Sequence, residues 1–507
     1  MTTVYAVAAV LLVSAATLAV GAVGLRISRT TSDFYVASRT VGPVVNASAI
    51  SGEYLSAASF LGVAGLVLLR GADMLWYPVG WTAGYLLLLV FVAAPLRRSR
   101  AYTLPDFAEF RLESLVARRV ASGLVVLIGV LYLVPQFQGA GLTLRTLTGS
   151  PTWVGELIVA VVVLLNVVAG GMRSITIAQA FQYWIKLWAL LIPLALLVMH
   201  WQHDRHDGAA AGRLDVRAWI EPMQRDHSGY LTYSLILATF LGTMGLPHVV
   251  VRFYTNRDGR AARRTTLSVL AMLSVFYLLP TLYGVLGRVY APDLISSGRT
   301  DSVVLALPGR VLGGLSGDLL TALLGAGAFA AFLSTSSGLV MSVGGVIGQD
   351  LRSRRFGGVA AFRIAASGSA LVTLLATVLT SGLAVAHAVE LAFAVAASTF
   401  CPLLLLGIWW RGLTARGAVA GLLVGGATSV SAVVTVMVGA APVGWLGAIV
   451  GQPALCTVPL SFATMVLASL ATRSRLPAHV GRTMVRLHTP EEIELDRGSY
   501  HPETSRR

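Results

Sequence analysis

The sequence predicts an all-α polytopic membrane protein with about thirteen transmembrane helices. Of its 507 residues, 56% are hydrophobic and 12% are charged, which is more apolar than a soluble domain tolerates. Apolar stretches long enough to cross a bilayer recur along the whole chain. They lie at 3–25, 43–69, 75–96, 120–142, 153–170, 181–200, 230–251, 266–287, 319–347, 360–383, 388–410, 417–440 and 445–471.

The positions of the arginines predict how these spans are oriented. Arginines collect after odd-numbered spans, at 26–29, 97–119, 252–264 and 352–355. Because short cytoplasmic loops are enriched in basic residues, we expect a plasma-membrane protein with its N-terminus outside and its C-terminus in the cytoplasm. The same rule accounts for the formal net charge of +15 without a nucleic-acid partner.

The chain is predicted to form one transmembrane domain over 1–471, with its core at about 43–410. No soluble insertion approaches the usual size of a domain. The segment 472–507 has no period that could bury one face, so we expect a disordered cytoplasmic tail. Phosphate loops, nucleophile elbows and zinc-binding histidine pairs are missing from the sequence, so neither an enzyme nor an organic cofactor is expected.

A run of four hydroxylated residues, 334–337, interrupts the apolar ninth span. Ala331 lies three residues before Ser334 and four before Thr335, so two hydroxyls and one helix carbonyl can converge on one point. A small hard cation accepts such an arrangement of oxygen atoms alone, which favours a sodium site. The alternative is helix packing, because small hydroxylated residues also concentrate where membrane helices touch.

The second and seventh spans are both predicted to be broken helices. The second contains many small and polar residues, and unwinding near Gly52 would free the carbonyls of Gly52 and Leu55. The seventh is interrupted at 242–248 by two glycines and Pro247. Two broken spans, five spans apart, indicate an inverted repeat. The alternative is that both are ordinary proline or glycine kinks with no role in transport.

The charged residues inside predicted spans include Glu53, Lys186 and Glu390. Ionisable groups at this depth are expensive to bury and are candidates for functional roles by default.

Six motifs, taken in order, resemble the sodium:solute symporters, and within them the acetate or monocarboxylate permease branch. The motifs lie at 32–38, 52–62, 102–107, 139–141, 170–172 and 245–253. The resemblance implies a LeuT-type core of two inverted five-helix repeats over spans two to eleven. It also implies cation-coupled symport of a small organic solute, most simply acetate or another short monocarboxylate, in contact with the lipid bilayer. A sodium-coupled symporter of proline or another small solute and a transporter-like solute sensor are the alternatives.

The resemblance also implies which residues form the sites. Sodium is expected at the carbonyls of Gly52, Leu55 and Ala331 and the hydroxyls of Ser334 and Thr335, the groups that the residue pattern had selected. Substrate contacts are implied for Tyr54, Ser59, Tyr132, Thr243, Met244 and Pro247. Gating or coupling roles are implied for Glu53, His248 and Gln179.

Two residues complicate this interpretation. Gln179 stands where sugar and proline carriers of the family have an aspartate. Glu53 would repel an anionic substrate unless it is protonated or faces a cation, so it either assists coupling or caps a broken helix. Because Ser334 and Thr335 are both present, sodium coupling is favoured over proton coupling. The border formed by Ala57, Ala58, Met244 and Leu246 offers a sugar few hydrogen bonds, which favours a short monocarboxylate.

Overall fold

The computed structural model describes residues 2–27, 41–206, 227–351, 358–379 and 385–490. Regular structure within these ranges is helical, and eleven helical runs there are long and apolar enough to cross a membrane. The run Ala58–Ser99, of 42 residues, holds the second half of span two together with span three, and the run Thr152–Asp204, of 53 residues, holds spans five and six, which accounts for the predicted thirteen. A helix of about 20 residues already spans the bilayer core. Gly171, at φ 62°, interrupts the longer run.

The helices follow one another without strands between them in the described ranges. They are α1 Thr2–Ile27, α2 Pro43–Tyr54, α3 Val63–Arg70, α4 Trp76–Leu87, α5 Ala93–Ser99, α6 Leu104–Leu112, α7 Leu115–Thr148, α8 Thr152–His206, α9 Ser228–Gly245, α10 Pro247–Val251, α11 Gly259–Tyr290, α12 Asp293–Ser296, α13 Val303–Val311, α14 Gly314–Leu351, α15 Gly358–Leu379, α16 Val385–Trp409, α17 Ala415–Met437, α18 Gly444–Gly451, α19 Ala454–Ala471 and α20 Val480–His488.

The second span is broken, three residues beyond the predicted point. Gly52 is still helical in α2, and the chain leaves the helix at Leu55 with ψ 88° before a π-helical turn at Ala58–Gly62. The amide of Ala57 donates to Gln136 Oε1 of α7 at 2.9 Å. A side chain from another span therefore satisfies the backbone where the helix cannot, and this long-range contact fixes the place of the break.

The seventh span is broken where the sequence predicted. α9 ends at Gly245 and α10 begins at Pro247, with the extended residue Leu246 between them at ψ 117°. Proline at the first helical position of α10 has no amide hydrogen to lose, so the second helix can begin there without an unsatisfied donor.

Part of the predicted tail is ordered, which corrects the expectation of disorder over 472–507. α20 covers Val480–His488 and packs on α5 and α6, with Met484 and Leu487 buried. These two residues are three apart and so lie on one face of a helix. Two apolar positions are too few to show a helical period in the sequence next to the charged end of the chain. The stretch 491–507 lies outside the described residues, as do the motif at 32–38 and the arginines of 352–355.

Several arginines assigned to loops are buried instead. Arg118 Nη1 donates to Glu109 Oε2 at 2.8 Å, Arg111 Nε donates to the Gly407 carbonyl at 2.7 Å, and Arg97 binds the carbonyl of Asn256. Arg111 and Arg97 bind backbone carbonyls at or near the ends of helices, where such groups lack partners within the helix, whereas Arg118 pairs with a carboxylate.

Candidate cation site and aromatic cluster

Four of the five predicted cation ligands converge, and the side chain of Lys186 lies where they meet. Lys186 Nζ donates to the carbonyl of Gly52, to the carbonyl of Leu55 at 2.8 Å and to Ser334 Oγ at 2.7 Å. Lys186 is fully buried. The break in the second span thus presents its last carbonyls to an ammonium group of the sixth span, which is the second half of α8.

The hydroxyls of Ser334 and Thr335 on the ninth span, α14, approach different backbone carbonyls. Ser334 Oγ lies 2.7 Å from the carbonyl oxygen of Gly52 and 3.0 Å from that of Ala331, while Thr335 Oγ1 donates to the carbonyl of Glu53 at 2.6 Å. Gly52, Leu55, Ala331 and Ser334 therefore form one oxygen cluster, and Thr335 stands one carbonyl away from it. That these groups bind sodium stays a prediction. We call this cluster, with Lys186, the cation site.

Two glycines allow the helices to approach closely enough to build this site. A Cβ at Gly52 would overlap the carbonyl oxygen of Gln179 on the sixth span, and a Cβ at Gly338 would overlap the carboxylate of Glu53. Neither position has room for a side chain.

Glu53 forms a buried ion pair with Arg252. Arg252 Nε donates to Glu53 Oε2, Nη1 donates to Thr176 Oγ1 at 2.8 Å, and Nη2 donates to Gln179 Oε1. Gln179 Nε2 in turn donates to the carbonyl of Ser334 at 2.7 Å. Glu53 and Arg252 are each 1% exposed. Of the two alternatives for Glu53, protonated or facing a cation, the structure shows a cationic arginine beside the carboxylate, and Gln179 links this pair to the cation site.

Sequence reasoning missed Arg252 because it was counted among the loop arginines after the seventh span. The structure places it directly after α10, buried beside the second span. A signal was available, since the motif at 245–253 that supports the family resemblance ends with this arginine and Phe253.

A second buried region consists of connected aromatic rings, which we call the aromatic cluster. Tyr54 packs edge-on against Tyr85 with ring centroids 4.8 Å apart, and Trp81 and Tyr132 lie 5.7 and 5.9 Å from Phe393. The members, none more than 4% exposed, are Tyr54, Trp81, Tyr85, Tyr132, His248, Tyr277 and Phe393.

Most of the predicted substrate residues belong to this cluster or touch it. Thr243 Oγ1 lies 2.9 Å from the hydroxyl of Tyr54, and Ser59 Oγ lies 2.9 Å from that of Tyr277. The His248 ring is centred 5.1 Å from that of Tyr132. Met244 and Pro247 are buried on either side of the break at Leu246.

The structure adds aromatic members that the sequence analysis did not propose, namely Trp81, Tyr85, Tyr277 and Phe393. The small apolar border formed by Ala57, Ala58, Met244 and Leu246 is buried as well, but it accompanies aromatic rings that carry polar groups. The spacing of Trp81 and Tyr85, one helical turn apart on α4, is the signal that could have revealed half of this set.

The cluster holds polar atoms that have no partner among the described residues. Trp81 Nε1, the hydroxyl of Tyr85 and both ring nitrogens of His248 are buried without a hydrogen bond. Buried polar atoms in proteins are nearly always paired, and an unpaired one is costly. A ligand with acceptor oxygens between the rings would satisfy these groups.

Paired broken helices around a buried polar site define a secondary transporter of the membrane. A comparison with protein families matches residues 34–425 to the sodium:solute symporter family. The chain belongs to this family, whose members are transporters and not enzymes, and membership supports sodium-coupled symport.

Curated relatives cover most of the chain. An uncharacterized symporter, YwcA of Bacillus subtilis (strain 168), is 32% identical over 415 residues, which are 78% of this chain and 80% of the relative. A monocarboxylic acid transporter of Corynebacterium glutamicum is 30% identical over 484 residues, 86% of each chain.

Solved structures of similar fold confirm the predicted LeuT-type architecture. A substrate-bound, outward-open sodium-coupled sialic acid symporter superimposes with a TM-score of 0.70 at 16% identity, covering 91% of this chain and 98% of the other. Mhp1, a nucleobase-cation-symport-1 family transporter in a closed conformation, superimposes with a TM-score of 0.55 at 14% identity, covering 90% and 99%.

Proposed function

We propose that this protein is a cation-coupled symporter of a short monocarboxylate, such as acetate, in the plasma membrane. The aromatic cluster binds the substrate, and the N-terminus lies outside with the C-terminus in the cytoplasm. The similarity to a monocarboxylic acid transporter over 86% of the chain supports the substrate class.

The unpaired donors of the aromatic cluster are the observation that carries this proposal. Trp81 Nε1 and the Tyr85 hydroxyl can each donate to a carboxylate oxygen, and His248 can donate from one ring nitrogen. The ring faces of Tyr54 and Phe393 pack within the same cluster and suit a short apolar tail. A carboxylate with one to three further carbons fits both chemistries.

Cation coupling acts, in this proposal, through the cation site. Its oxygens belong to spans two and nine, so an ion there would join the two spans, and Glu53, Arg252 and Gln179 connect it to span seven. Family membership supports sodium as the ion. A sodium ion at these oxygens would require Lys186 Nζ to leave three of them.

The test is uptake of labelled solutes into vesicles that contain the purified protein. Acetate, propionate and pyruvate should be accumulated, whereas proline and a hexose should not. Replacing Tyr85 with Phe removes one donor and should weaken acetate binding by roughly two- to tenfold, the usual effect of one neutral hydrogen bond. Tyr5→Phe, in the first span and away from the cluster, is the control. Accumulation of proline without any acetate uptake would show that the substrate class is wrong.

A further inference from the structure

Lys186 completes the cation site without an external ion. An ammonium group has three N–H donors, and all three have acceptors here, in Gly52, Leu55 and Ser334. The acceptors include two of the carbonyls that the break in the second span exposes. These oxygens already solvate the ammonium group, and a second cation among them would be repelled by a like charge in a buried environment.

The second repeat shows that the architecture itself does not need this lysine. Gly52 packs on the carbonyl oxygen of Gln179, and Gly245 packs in the same way on that of Ala396. Counted seven residues onward from each carbonyl, the first repeat has Lys186 and the second has Leu403, which is also fully buried. A buried apolar residue occupies the matching position in the second repeat, so packing at this position does not require the charge of Lys186.

We propose that the proton carried by Lys186 is the coupling cation of this transporter, in place of sodium at the cation site. This inference rests on the proposed function and deepens it by naming the ion. When Nζ is protonated, it ties span two to span nine through Gly52, Leu55 and Ser334. When the proton leaves, a neutral amine keeps two N–H donors and a lone pair, so it stays bound to Ser334 as well as to both carbonyls only if the serine hydroxyl turns away from the carbonyls of Gly52 and Ala331 and donates to that lone pair.

One proton crosses with each carboxylate in this scheme. It binds the lone pair of Nζ from water on the outer side and is released from the ammonium to water on the inner side, which restores the amine. The charged group that acts on Lys186 is Glu53 of span two, which is itself paired with Arg252, and Tyr183 is the titratable group one turn before Lys186 on the same helix. The apolar stretches of spans one and nine carry no Asp, Glu, Lys, Arg or His.

The decisive experiment compares two gradients in proteoliposomes. An inward proton gradient without sodium should drive acetate accumulation in the wild-type protein. An inward sodium gradient at equal pH should change uptake by less than about twofold, because the ammonium keeps sodium from the site. Accumulation driven by the sodium gradient alone would overturn the proposal.

Variants at Lys186 separate coupling from folding. Lys186→Met keeps the length of the side chain, and it should retain exchange of labelled acetate between the two sides while losing proton-driven accumulation by about tenfold or more. Lys186→Arg introduces a guanidinium that stays protonated, so this variant should also lose proton-driven accumulation. Leu403→Met is the matched control in the second repeat and should behave like the wild type. Normal proton-driven accumulation by Lys186→Met would contradict the proposal even if Lys186→Arg fails to fold.

Binding of radioactive sodium to the purified protein, without substrate, distinguishes this proposal from the proposed function. If the protein exchanges no acetate at all, the substrate assignment fails, and sodium binding still tests the lysine. Any sodium binding that the wild type shows should be unchanged in Ser334→Ala. Sodium binding by the wild type that depends on Ser334 would place the ion at these oxygens and refute the proposal.

Discussion

The two broken spans are built alike, yet they carry different chemistry. Each has a glycine, Gly52 or Gly245, packed on a carbonyl of the fifth helix in its own repeat. At the first break the freed carbonyls meet Lys186 and Ser334, and Glu53 meets Arg252 nearby. The difference teaches that the repeat supplies the geometry of a break, while single side chains decide whether an ion acts there.

The ion pair of the first break should give the largest effect. Arg252→Gln leaves the Glu53 carboxylate buried without its partner, and this should cost about 3–5 kcal/mol of stability, measured by thermal unfolding of the purified protein. Arg310→Gln, which breaks an exposed pair with Asp293, should change the stability far less, because solvent screens that pair.

Removing both charges tests the cause of that effect. The double variant Glu53→Gln with Arg252→Gln should recover most of the lost stability, because no unpaired charge remains buried. If Arg252→Gln is no less stable than Arg310→Gln, the pair does not stabilise the first break.

The two glycines offer a direct comparison of the breaks. Gly52→Ala and Gly245→Ala each place a Cβ against a backbone carbonyl, so both should lower stability by about 1–3 kcal/mol. Gly52→Ala should in addition weaken proton-driven accumulation, since it shifts a ligand of Lys186. Gly229→Ala, where nothing lies within 4 Å, is the control. Equal loss of accumulation in both variants at matched stability would mean that coupling is not confined to the first break.

Thr335 should contribute less than Ser334. The Thr335 hydroxyl donates to the carbonyl of Glu53 and does not contact Lys186. Thr335→Ala should therefore lower the free energy of unfolding by about 0.5–1.5 kcal/mol and raise the cation concentration needed for half-maximal uptake. Ser336→Ala removes a buried hydroxyl that has no partner among the described residues and serves as the control. A change from Ser336→Ala as large as that from Thr335→Ala would remove Thr335 from the coupling network.

The smallest effect is expected outside the spans, at Asp301. Burial raises the pKa of Asp301 to about 6, although the amide of Val385 donates to its Oδ2 and acts in the opposite direction. Since the folded state favours the protonated form, the stability that this group contributes should be highest below about pH 4 and should be lost as the pH rises through about 6. Asp301→Asn should flatten the pH dependence of the unfolding temperature, and an unchanged profile would contradict this assignment.

The sequence by itself determined the membrane class, the approximate spans and the place of the seventh break. Hydropathy is a property of consecutive residues, and the glycine and proline signals near Leu246 act on the backbone next to them. The hydroxyls of Ser334 and Thr335 and the carbonyls of the second span were also identified this way, because a broken membrane helix must expose carbonyls nearby.

Only the tertiary structure decided what those groups face. Lys186 is 134 residues from Gly52, and Arg252 is 199 residues from Glu53, so neither contact follows from local pattern. Trp81, Tyr277 and Phe393 belong to three separate helices and meet only when the bundle packs. A charged residue in a span is visible in the sequence, but its partner depends on helix approach, which here rests on glycines too small to keep the backbones apart.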